Sequence, residues 1–131
     1  MSSNTSAVLR ECTEGSDEER LSFPEVVGKL AAAGIERYHA DLQRHEKTYY
    51  MPDGRSELLR CAPVRETPAI EFRPEQVGDA VRAIQGGRIG YQEFCRRIVR
   101  AGCVSYFVSL AGRRAVYFGR TSEAYVEPFP A

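Results

Sequence analysis

The chain has 131 residues, 43% of them hydrophobic and 27% charged, with no Trp and a net charge of zero. This composition excludes disordered, collagen-like and membrane-spanning classes, and the length supports one domain that buries roughly two-thirds of its unfolded surface. Residues 1–68 carry 9 Lys+Arg against 12 Asp+Glu, and residues 69–131 carry 9 against 6, so the halves stand at −3 and +3. A nucleic-acid binder carries a stronger basic excess, so that class ranks last. The opening "MSSNTSAVLRECTEGSDEER" has no basic start followed by an apolar stretch. The expectation is a chain without a signal peptide or membrane segment, in the cytoplasm.

In chain order, "TSAVLREC" reads as a first helix. Ser22-Phe23-Pro24-Glu25 then has the spacing of a capping box, with Pro24 tolerated in a first turn. Phe23, Val26, Val27, Leu30 and Ala31 follow helical spacing, and Gly34 suits a left-handed helix end. "IERYHADL" alternates, with Tyr38, Ala40 and Leu42 on the helix side. A charged turn "QRHEK", a strand "TYYM", the turn Met51-Pro52-Asp53-Gly54 and a strand near Glu57–Cys61 complete a meander. "APVRETPAIEFRP" reads as a linker, centred on residues 63–73. "PEQVGDAVRAIQGG" reads as a third helix. Tyr91, Phe94, Cys95, Ile98 and Val99 mark a fourth, ended by Gly102. "CVSYFVSL", with Val104, Tyr106, Val108 and Leu110 inward, then "AVYF" and Ala124–Pro128, give a second meander.

Residues 20–50 align with 88–118 at a constant offset of 68 without gaps. Identities fall at Arg20/Arg88, Glu25/Glu93, Ala33/Ala101, Gly34/Gly102, Tyr38/Tyr106, Leu42/Leu110 and Tyr49/Tyr117, 7 of 31 positions. Ordinary residue usage gives roughly two. One offset running through a helix and its strands implies a duplicated unit. The expected architecture is a single α+β domain over 1–131. It holds an internally duplicated α-α-β-β-β unit, in halves of about 1–62 and 74–130. The sheet is antiparallel because the connections are too short for crossovers, and the helices pack mainly on one face.

Three stretches, "GIERYHADLQRHEKTYYMPDG", "VGDAVRAIQGG" and "IGYQEFCRRIVRAGCVSYFVSLAGRRAVYFGRTSEAYVEPFP", resemble the YbcV-like family. That is a bacterial domain of unknown function often labelled "phage envelope protein". The likeness runs from about Leu21 to Pro130. It implies a small soluble α+β fold and carries over no catalytic residue. Similar proteins often have His where this chain has Tyr125.

Among candidate chemical groups, Cys12, Cys61, Cys95 and Cys103 form no C-x-x-C pair, so neither a metal site nor a cofactor is expected. Cys95 aligns with Val27 and Cys103 with Ile35, which marks both as small core hydrophobes. His45 lies in a charged turn and is expected in solvent. His39 shares the outer sheet face with Arg37 and Asp41, and an Asp two residues along a strand can orient a His. The catalytic candidates are therefore His39 and Asp41, and the ligand-binding candidates Arg37, Tyr49 and Tyr50. Arg96, Arg97, Arg100, Arg113 and Arg114 form the one dense basic group, read as a solvated face. The expected function is a non-catalytic binding or interaction module, with a homodimer as the candidate assembly and its small-molecule or protein ligand open. The alternative is a small acid–base enzyme, hydrolase-like, built on His39 and Asp41.

Overall fold

The computed structural model describes residues 1–130. Four helices and six strands follow in the order α1 (Ser3–Asp17), α2 (Phe23–Ala32), β1 (Arg37–Asp41), β2 (Glu46–Tyr50), β3 (Ser56–Arg60), α3 (Pro74–Gln85), α4 (Tyr91–Arg100), β4 (Cys103–Ser109), β5 (Arg114–Gly119) and β6 (Ala124–Pro128). The strands form one antiparallel sheet in the order β3-β2-β1-β4-β5-β6. Each three-stranded meander is one half, and β1 joins β4 at the centre. The fold is α+β.

Local chemistry explains the elements. Ser22 caps α2: its hydroxyl accepts from Glu25 N–H while the Glu25 carboxylate accepts from Ser22 N–H. Two of the otherwise unpaired donors at the helix start are thereby satisfied. Gly34 and Gly102 follow the helix ends at φ +83° and +95°, a region costly for residues with a Cβ. The helix α1 runs farther than "TSAVLREC", from Ser3 to Asp17, straight through Gly15. Gly15 is tolerated because a Cβ there would lie 2.6 Å from Leu21 Cδ1. The inward set of β4 also differs from the expected alternation. A register shift between Cys103 and Ser105 turns Cys103 fully inward and leaves Val104 half-buried. The linker is more than a spacer, since Phe72 is buried in the core.

The offset of 68 recurs in the backbone. The pair Tyr38–Tyr49 in β1–β2 maps onto Tyr106–Tyr117 in β4–β5, and Thr48–Leu58 maps onto Val116–Val126. Positive φ occurs at Glu19, Gly34, His45 and Gly54, and again at Gly87, Gly102, Arg113 and Ser122. Those are the same four positions in each half. One core, containing Leu9, Leu30, Val77 and Ile98 from the four helices, runs through both halves.

Candidate functional site

The residues marked by the sequence separate onto two faces. His39 is half-buried on the outer face, its ring packed 4.5 Å from that of Phe107. Asp41 uses its carboxylate locally: Oδ1 accepts from the N–H groups of Gln43 and Arg44, at 3.0 and 2.9 Å. It thus builds the β1–β2 turn. Burial lowers the His39 pKa and outweighs the opposing pull of the Asp41 charge. Asp41 raises it only as the weaker influence. The Arg37 guanidinium lies 4.0 Å over the Tyr50 ring, a cation–π contact on this same face. Tyr49 does not join them. It is buried on the helix side, with its hydroxyl 2.8 Å from Thr13 Oγ1.

His45 also departs from expectation. It is half-buried, at φ +59°, and its buried Nδ1 has no hydrogen-bond partner among the described residues. Among the described residues the four cysteines are free thiols. Burial pushes Cys61 and Cys95 up to about 11 and Cys103 to about 12, which makes them poor nucleophiles at neutral pH. No cluster suited to a metal ion occurs among the described residues. Of the basic group, Arg96, Arg97 and Arg100 all converge on Glu93, and Arg100 also reaches Glu66.

The substantial cavity lies on the helix side of the sheet. It has a volume of about 670 Å³, within the range of small-molecule sites. It sits where the two halves meet, and equivalent residues line it from each side: Phe23 with Tyr91, Val26 with Phe94, Tyr38 with Tyr106, and Lys47 with Ala115. Phe129 closes against Phe23 at the rim, edge to face at 5.4 Å. The floor is a run of tyrosines. Tyr38 and Tyr106 lie 6.5 Å apart by ring centroids, and Tyr106 and Tyr117 lie 5.3 Å apart.

Lys47 enters this floor from β2 and is only 4% exposed. Its Nζ stands 4.6 Å from the Tyr91 ring centre and 6.0 Å from that of Tyr38. It forms no hydrogen bond or ion pair with the described residues. The hydroxyls of Tyr91 and Tyr106 bond each other at 2.7 Å, so one O–H of the pair is left to donate elsewhere. Burial raises the pKa of Tyr38, Tyr106 and Tyr117, so all three hydroxyls stay protonated at physiological pH. The cleft therefore presents O–H and N–H donors on an aromatic floor. Glu19, Glu25 and Glu127 bring carboxylates to its lining.

Sequence reasoning missed Lys47 by placing it in the "QRHEK" turn. The signal was present: Lys47 precedes Tyr49 by two residues in a strand, and so shares its inward side.

No family model matches the chain. Uncharacterized proteins of Mycobacterium tuberculosis, strains CDC 1551 and H37Rv, and of Mycobacterium bovis are each 30% identical to it over 112 residues. The match covers 83% of this chain and 67% of each relative. The chain belongs to the family of these mycobacterial proteins. No helix of the described residues is long and apolar enough to cross a membrane.

Proposed function

We propose that this protein is a non-catalytic binding module that holds a small molecule in the cleft between its helices and sheet. The observation that carries the reading is the 670 Å³ cavity at the junction of the two halves, floored by tyrosines and a buried lysine. Ligand sites combine an apolar enclosure with a few convergent polar groups, as this cleft does. The outer-face pair gives an acid–base enzyme less support, because Asp41 is occupied by the turn and His39 by Phe107. The test fills the cleft. Ala115→Phe adds an aromatic ring on its floor. A panel of aromatic and aliphatic small molecules should raise the Tm of the wild-type protein and leave that of the variant unchanged. Equal stabilisation of both would contradict the reading.

The recurring registers and positive-φ positions support descent of the two halves from one duplicated unit. Membership of the YbcV-like family and a cytoplasmic setting belong to the same proposal, and rest on the sequence stretches that resemble that family. The proposed assembly is a homodimer through the outer sheet face, where Leu58, His39, Phe107, Val116 and Val126 lie in one row across the strands. Light scattering that returns a monomer mass at micromolar concentration would remove it.

A further inference from the structure

We infer that the ligand of the cleft is a compact carboxylic acid with an apolar, aromatic body, its carboxylate held at Lys47; this rests on the cleft reading above. Donors converge on the floor without matching acceptors. The Lys47 residue is 4% exposed and lines the cavity, and its amine bonds no carboxylate or carbonyl of the described residues. Beside it, the buried residues Tyr38 and Tyr117 line the same cavity, their hydroxyls without a hydrogen bond to a described residue. The Tyr91–Tyr106 pair has one further O–H to give. A ligand that covers this amine and these hydroxyls must supply a countercharge and acceptors, because both are costly to take out of water unpaired. A carboxylate answers both needs: one negative charge for one amine, and two oxygens with acceptor capacity for several O–H groups.

Comparison of the halves shows that the scaffold does not require these groups. The position equivalent to Lys47 is Ala115, which lines the same floor. A small apolar residue thus satisfies the fold there. Thr13, which engages the Tyr49 hydroxyl, has Val81 as its counterpart at the cleft wall. That exchange leaves the Tyr117 hydroxyl free for something else. Both departures from symmetry place donor capacity in the cavity.

The carboxylates that line the cleft, Glu19, Glu25 and Glu127, stand toward its rim. Glu25 is held by the α2 cap, and Glu127 accepts from the Tyr125 hydroxyl. Arg20 at the rim is paired with Glu18. The floor thus carries one cation with neutral O–H donors, which suits a monoanion better than a phosphate dianion. Rings of Phe23, Phe94 and the tyrosines supply contact for an aromatic body.

The experiment titrates naphthalene-1-acetate and its neutral match, naphthalene-1-acetamide, into the protein by calorimetry. The acid should bind at least tenfold more tightly than the amide. Lys47→Met should weaken the acid to the level of the amide and leave the amide unchanged, and Lys47→Arg should keep the preference. Equal binding of acid and amide to the wild-type protein would overturn this inference and leave the cleft reading standing; that comparison needs no variant. A preference that survives Lys47→Met would overturn the inference as well. Failure of both compounds to bind, or undiminished binding to Ala115→Phe, would overturn the cleft reading itself.

Discussion

The two halves share a backbone and differ in what they put on it. The helix-end glycines, the hairpin registers and the inward tyrosines recur at one offset. Lys47 against Ala115 and Thr13 against Val81 do not. Where equivalent positions agree, packing and backbone geometry are sufficient reasons for the residue. Where they part in a shared environment, the fold accepts either choice. In the first half Tyr49 is tied into the core by Thr13, whereas in the second Tyr117 faces the cleft untied. The outer face follows the same division: His39, beside Asp41, pairs with Phe107 of the other half.

The largest expected difference concerns the equivalent glycines. Gly102→Ala would drive a Cβ into the Glu71 carbonyl oxygen at φ +95°. Backbone must move, so a loss of about 3 kcal/mol or more is expected in chemical denaturation. Gly34→Ala meets only Met51 Cε at 3.6 Å, leaving the left-handed strain of about 1–2 kcal/mol. Equal losses would show that the linker does not press on the second helix end. Next in size is Thr13→Val, which makes the first half imitate the second. It strands the buried Tyr49 hydroxyl and should cost about 1–3 kcal/mol, while Val81→Thr, the reverse exchange, should cost less. A larger loss from Val81→Thr would reverse the assignment of tied and untied tyrosines.

The sequence carried the element order because two periodicities alternate in it, helical before strand, each ended by turn residues. It carried less of the site. The charged run "QRHEK" reads as a turn, yet His45 at φ +59° ends that turn early and Glu46 already begins β2. Lys47 is thereby pulled inside. Its burial depends on a cleft formed by both halves, which no local pattern records. The role of Asp41 was hidden for a similar reason: its partners are backbone N–H groups of the turn, a use that residue identity alone does not reveal.

The smallest expected effect is on the outer face. His39 should titrate below its ordinary value, because burial against Phe107 opposes the charged form. Asp41→Asn should lower it further by removing the one charge that opposes that shift. A folded pKa below the unfolded one contributes stability present above the unfolded value near 6.5, and lost as pH falls through the folded value. A histidine NMR titration above the ordinary value would make Asp41 the dominant influence and return the pair to candidacy as a site.

Intermolecular NOEs between naphthalene-1-acetate and the aromatic side chains of the folded protein decide whether the helix-side cleft or the outer sheet face receives the ligand. The predicted contacts are to the rings of Tyr38, Tyr106 and Tyr117, which line the cleft, with none to His39 or Phe107. Contacts to His39 and Phe107, with the cleft tyrosines silent, would contradict the cleft reading.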